Sequence, residues 1–193
     1  MNFSAAIFAG GHSSRMGRDK AFLEIDGVPL WRRQLQLLQA LNPIEIFIAG
    51  PVRPEWIASG LKIIPDAADD CGPLGGLVAV LRRCKNTQLL ALAIDLPNMT
   101  SAFLRQLLST CPVDGGIIPK RNDRFEPLAA IYPAAPCLSL AENYLKSGEY
   151  SLQRLARRAI EAKLMITRET LDAEESLFFN LNTPADLAAI EDK

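Results

Sequence analysis

The chain has 193 residues, 49% hydrophobic and 22% charged, and its 21 basic and 22 acidic side chains leave a formal charge of -1. That length suits one domain able to bury roughly 70% of the surface an unfolded chain exposes. The near-neutral balance excludes a global basic field for gripping a nucleic-acid backbone, and no apolar run approaches the ~20 residues of a membrane-spanning helix.

Met1-Asn2-Phe3-Ser4 leads into an apolar stretch without a basic n-region or cleavage site, so a cytoplasmic protein is expected. Residues 4–8 read as a buried strand that ends in Gly10-Gly11. Residues 44–49 read as a second strand ending at Gly50. Between them Trp31, Leu35, Leu38 and Leu41 recur at helical spacing, with Pro29 where a helix start tolerates it. A third strand is expected at 62–64, a second helix over 77–81, and a buried strand at 89–94. Phe103, Leu104, Leu107, Leu108 and Cys111 mark one face of a further helix that Thr100 or Ser101 caps.

After Gly116 the strand–helix rhythm breaks. Residues 117–119 and 128–132 look like two strands joined by the polar turn 120–124, a candidate antiparallel insertion or small lobe. Helices are expected at 138–145 and 152–160, a strand at 163–166, and a last helix opened by Thr183-Pro184-Ala185-Asp186. The expected fold is a Rossmann-like α/β three-layer sandwich: a mostly parallel sheet, helices on both faces, and a small antiparallel element in the second half.

Cys71, Cys84, Cys111 and Cys137 form no C-x-x-C pair or zinc-ribbon spacing and read as reduced apolar side chains. His12 is the sole histidine and sits in a glycine-rich segment, which argues against a Ser-His-Asp hydrolase. That segment, Phe8-Ala9-Gly10-Gly11 through Arg15-Met16-Gly17 to Asp19-Lys20, is the most informative in the chain. Glycines directly after a buried strand let backbone N–H groups approach a polyphosphate, and Arg15 and Lys20 add positive charge. It is neither a Walker A loop nor a G-x-G-x-x-G fingerprint. Read from the residues alone, a glycine turn with solvated basic side chains stays open as the alternative.

The joint pattern resembles the nucleotidyltransferases of the molybdenum cofactor guanylyltransferase type, whose signature is Ala-Gly-Gly, a short variable stretch, Arg-Met-Gly and a Lys just beyond. The likeness extends to Asp66, to Gly72-Pro73-Leu74-Gly75-Gly76-Leu77, to Asp95-Leu96-Pro97, to Glu126-Pro127-Leu128 and to Asn180-Leu181-Asn182-Thr183-Pro184. The resemblance implies a single nucleotidyltransferase domain over 1–193, with a GTP-binding half about 1–112 and an acceptor-binding half about 113–193. It implies nucleotide contacts from Phe8, Ala9, Gly10, Gly11, Lys20, Asp66, Gly72, Pro73, Leu74 and Asp95, with 72–77 as a turn beside the base. It implies catalytic roles for Lys20, Arg15 and Asp95, Mg²⁺ held by Asp95, and acceptor contacts from Asn180 and Asn182. The reaction so implied is attack by the terminal phosphate of molybdopterin on the α-phosphorus of GTP. Transient contacts with molybdenum-insertion proteins or target molybdoenzymes belong to the same expectation; nucleic acid and membrane do not.

Plainer structural roles stand beside these. Asp95 could be a cap or turn residue, and Thr183 and Pro184 are explained by starting a helix. The end of the second strand, Ile48-Ala49-Gly50, lacks an Asn that relatives can carry there. Two other readings remain: a related transferase using CTP or a sugar-1-phosphate acceptor, and a non-catalytic nucleotide-binding regulator.

Overall fold

The computed structural model describes residues 2–10, 19–67 and 70–191. The first strand, β1 (Ser4–Phe8), is buried throughout. A 3-10 turn (Lys20–Phe22) leads into a hairpin of β2 (Glu24–Ile25) and β3 (Val28–Pro29). Asp26 and Gly27 turn it at φ 54° and 71°, the positive values that an Asp-Gly pair tolerates in a two-residue hairpin. The chain then runs through α1 (Leu30–Gln39), β4 (Glu45–Ala49), α2 (Pro54–Ala58), β5 (Lys62–Ile64), α3 (Gly72–Arg83), β6 (Gln88–Ala93) and α4 (Ser101–Thr110).

The second half adds β7 (Gly116–Arg121), β8 (Arg124–Phe125), β9 (Ala129–Pro133), α5 (Ala134–Lys146), α6 (Leu152–Glu161), β10 (Met165–Glu169), a 3-10 stretch (Asp172–Phe178) and α7 (Pro184–Glu191). The main sheet has the order β10-β7-β9-β6-β1-β4-β5, with β8 paired to β7. Strands β5, β4, β1 and β6 are mutually parallel, as are β7 and β10, while β9 runs antiparallel to both β6 and β7. The antiparallel element expected in the second half is present as β8 and β9, but it belongs to the main sheet rather than to a separate lobe, because the apolar side chains of β7 and β9 need cover on both faces.

Alternation of side chains along each strand builds the three layers. Ala5 and Ile7 of β1, Leu90 and Leu92 of β6, and Ile131 of β9 enter one core cluster, with α1 and α4 above it. Ala6 and Phe8, Leu89 and Ala91, and Tyr132 enter the other, covered by α3, α5 and α6. Full burial of an Ile or Leu side chain contributes about 1.5–3 kcal/mol, so these strand interiors dominate the stability. Gln88 is the polar exception at the entry of β6: its amide donates to the Pro112 and Gly115 carbonyls, 2.8 Å each, and ties the loop after α4 to the sheet.

Some boundaries moved for local reasons. Helix α6 closes with Lys163 at φ 58°, its N–H bonded to the Ile160 carbonyl and that of Leu164 to the Ala159 carbonyl. This is a left-handed helix stop made without glycine, so β10 starts at Met165 rather than 163. Thr100 does cap α4, its hydroxyl accepting from the Phe103 N–H at 3.2 Å. Thr100→Ala is expected to cost about 1 kcal/mol and lower the melting temperature by about 2–4 °C, measurable by thermal denaturation. Among the described residues no helix is long and apolar enough to cross a membrane.

Candidate active site

In a mostly parallel sheet the strand carboxyl ends border a crevice. Here a cavity of about 620 Å³ opens where β1, β4 and β5 end, lined by Phe8 and Gly10, by Gly50 and Arg53, by Asp66, and by Gly72, Pro73 and Gly76 of α3. Backbone closeness creates this space. Gly50 stands at φ 150°, and a Cβ on it would lie 3.1 Å from the Ala9 carbonyl carbon and the Gly10 nitrogen. Only glycine lets those two strand ends meet. A Cβ on Gly76 would lie 3.0 Å from Asp66 Oδ1 and 3.5 Å from the Phe8 ring. The missing side chain thus leaves room for the Asp66 carboxylate at the mouth of α3.

Beside the cavity, the Ile94 N–H donates to the Phe8 carbonyl at 3.0 Å, which sets Asp95 next to the end of β1. Lys20, on the 3-10 turn, places Nζ 3.5 Å from Asp95 Oδ2 and donates to Asn182 Oδ1 at 2.7 Å. Three segments 75 and 162 positions apart in the chain so converge on one ammonium group. Asn182 is held in turn: Asp186 Oδ2 accepts from the Asn182 N–H at 2.8 Å and the Thr183 N–H at 2.7 Å, and the Asp186 N–H donates back to Thr183 Oγ1 at 3.2 Å. Those backbone donors hold the Asp186 carboxyl below its usual range. The Leu181 N–H donates to the Asp95 carbonyl at 3.0 Å and joins the last loop to the one that carries Asp95.

On the far side of Asp95, Arg121 donates through Nε (3.2 Å) and a terminal nitrogen (3.0 Å) to Glu126 Oε1. Burial pushes the Glu126 carboxyl up, Arg121 draws it back, and the nearby Asp95 charge adds to the rise.

Of the expected site residues, Phe8, Gly10, Asp66, Gly72 and Pro73 line the cavity, while Lys20, Asp95 and Asn182 meet beside it. Gly11, His12 and Arg15 lie outside the described residues. Ala9 is nearly buried, and its N–H donates to the Ala49 carbonyl at 2.8 Å. Leu74 is wholly buried in the core under α3, so its side chain does not reach the cavity. The segment expected as a turn is the first turn of α3, with Gly72 at φ 54° and Pro73 in the position where a missing N–H costs nothing. Asn180 is turned to the Phe178 carbonyl, 3.2 Å away, rather than to Lys20. Thr100, not Asp95, caps the helix that follows, so capping does not account for Asp95. Asp19, Gly76 and Glu126 lie inside the motif segments read from the sequence but were given no role of their own, and Arg53 and Arg121 carried no signal there. Gly50 was legible as a glycine at a strand's end.

Mg²⁺ is tested by the donor set. Among the described residues no group of three or more His, Cys, Asp or Glu could hold a metal. The Asp95 carboxylate at the crevice fits a hard cation that takes one protein oxygen and fills its remaining positions with phosphate and water.

The chain is 33% identical over 184 residues to the molybdenum cofactor guanylyltransferase of Xanthomonas euvesicatoria, covering 94% of this chain and 90% of that one. It is 32% identical over 186 residues to the probable molybdenum cofactor guanylyltransferase of Opitutus terrae, covering 95% and 92%. Its fold superposes on the molybdopterin-guanine dinucleotide biosynthesis protein A of Archaeoglobus fulgidus with a TM-score of 0.75 and 25% identity, covering 98% and 97%. Since residues 5–163 match the model of the MobA-like NTP transferase domain as well, it is to that family of nucleotidyltransferases that the chain belongs.

Proposed function

We propose that the protein transfers the GMP moiety of GTP to the terminal phosphate of the molybdenum cofactor pterin, giving its guanine dinucleotide form and pyrophosphate. The observation that carries this reading is the meeting of Lys20, Asp95 and Asn182 beside a nucleotide-sized cavity. The first half of the chain, about 1–112, would hold GTP, and the second, about 113–193, the acceptor. In the cavity the Asp66 carboxylate suits the adjacent N1–H and N2–H donors of guanine, whereas adenine and cytosine offer one amino donor beside a ring-nitrogen acceptor.

The acceptor phosphate is already ionised near neutral pH, so attack on the α-phosphorus needs no general base. The oxygen–α-phosphorus bond forms as the bond to the bridging oxygen of pyrophosphate breaks. Lys20 stabilises charge growing on the phosphate oxygens, and Gly10 contributes a backbone donor at the crevice. Asn182, fixed by Asp186, keeps the Lys20 ammonium aimed at Asp95 and faces the acceptor. Mg²⁺ held by Asp95 would supply charge neutralisation at the phosphates. The protein would act in the cytoplasm and hand its product over through transient contact with molybdenum-insertion proteins or target molybdoenzymes.

The test supplies purified molybdopterin, Mg²⁺ and either GTP, CTP or ATP in parallel, and scores the dinucleotide by mass. GTP is expected to exceed the others by about 10²-fold or more in kcat/KM, below the ceiling of about 10⁴–10⁵ set when a site's hydrogen-bonding groups go unpaired with the wrong substrate. Equal use of CTP or ATP, or no dinucleotide with molybdopterin while a parallel reaction with a sugar-1-phosphate gives product, would refute the assignment.

A further inference from the structure

Lys20 stands on a turn of three residues, and one 3-10 turn cannot fix a flexible four-carbon side chain by itself. Two contacts, one on each side of it in sequence, reach the turn from the same short connection between β4 and β5. Before Lys20, the Asp19 carboxylate receives two bonds from the Arg53 fork, Nε at 3.0 Å and a terminal nitrogen at 2.8 Å, both on Oδ2. After it, the Phe22 ring lies parallel to the buried Trp56 ring of α2, centroids 6.1 Å apart and planes within 10°. Asp19 is used twice, since its Oδ1 also accepts from the Ala21 N–H at 3.1 Å and so caps the turn. Arg53 in turn opens α2, its carbonyl accepting from the Trp56 and Ile57 N–H groups, and it lines the nucleotide cavity.

We propose that Arg53 is a positioning residue for Lys20: through Asp19 it braces the turn that carries the lysine, and it links that turn to the wall of the nucleotide cavity. The inference rests on the role proposed above for Lys20. With side chains 39% and 29% exposed, the Arg53–Asp19 pair adds little to global stability, so its purpose is geometric. A nucleotide filling the cavity presses on the same residue that orders the lysine, which couples occupancy of one to alignment of the other.

Two variants separate bracing from direct nucleotide contact. Asp19→Asn keeps an oxygen for the Ala21 N–H but turns an amide donor toward Arg53, and it leaves the cavity wall intact. Arg53→Lys keeps a positive charge but cannot make the forked pair of bonds. Each is expected to lower kcat by about 10- to 100-fold with KM for GTP within about threefold, the pattern of a misaligned catalytic group. Amide hydrogen exchange at residues 21–23 should rise by about tenfold in both, and the double variant should be no worse than the worse single one. Wild-type turnover in Asp19→Asn, or a raised KM in Arg53→Lys with exchange at 21–23 unchanged, would overturn the proposal. The exchange readout needs no acceptor, so faster exchange in a protein that makes no dinucleotide would defeat the proposed reaction and leave the brace standing.

Discussion

Asp95→Asn and Lys20→Ala are each expected to lower kcat by about 10² or more, the scale seen when one preorganised charge or donor is removed from a transition state. Lys20 and Asp95 are 18% and 24% exposed at a crevice, and an ion pair so placed contributes only about 0–1 kcal/mol to folding. Melting temperatures should therefore stay within about 2–4 °C of the parent while activity collapses. The two variants differ in a useful way. Asp95→Asn leaves an oxygen for the Lys20 ammonium and removes only the charge that would hold Mg²⁺, so excess Mg²⁺ should restore part of its rate. Lys20→Ala also strips Asn182 of its partner, and no metal concentration should rescue it. Pyrophosphate release with GTP and acceptor, measured beside thermal melts, checks both. Turnover near that of the parent in either variant would remove that residue from the reaction.

Gly116→Ala is expected to be the most damaging single-carbon change in the described part of the chain. Gly116 lies in β7 opposite Met165 of β10, with β9 on its other side. A Cβ there would sit 2.3 Å from the Ile131 carbonyl oxygen, 2.6 Å from Pro133 Cδ and 2.9 Å from Met165 Cγ. The nearest obstacle is backbone in a fully paired strand, which cannot swing aside as a side chain would. Relief requires β9 to separate from β7, so a loss of about 3 kcal/mol or more is expected, lowering the melting temperature by about 6–12 °C. A melting temperature within about 2 °C of the parent would show that the strands absorb the methyl group. Activity should fall with the folded fraction, because β7 and the β8–β9 connection carry Arg121 and Glu126 beside Asp95.

The apolar runs were legible in advance because strands buried on both faces are apolar along their length, and β1 and β6 are so composed beyond their entry residues Ser4 and Gln88. The hairpin of β2 and β3 was also written in the chain, as Asp26-Gly27 between Ile25 and Val28, and was passed over. The left-handed stop of α6 at Lys163 was not written there, because tertiary packing of β10 against β7 holds a residue that local preference would not select. The same holds for α3. Its first five residues contain three glycines and a proline, a composition that reads as a loop, and its helical state depends on Leu74 and Leu77 entering the core beneath the sheet.

By itself the sequence determined the class of fold and the candidate chemistry: alternating apolar runs dictate layers, and a glycine-rich loop with Lys20, a carboxylate at a strand end and an Asn pair near the last helix name the functional groups. Only the tertiary structure decided which of those groups meet. Lys20, Asp95 and Asn182 come together because parallel strands deliver distant segments to one edge of the sheet, while Asn180, two positions from Asn182, is turned away by its bond to Phe178. The brace from Arg53 to Asp19 has no local signal at all, since a contact between two loops is set by the order of strands and not by the residues around either one.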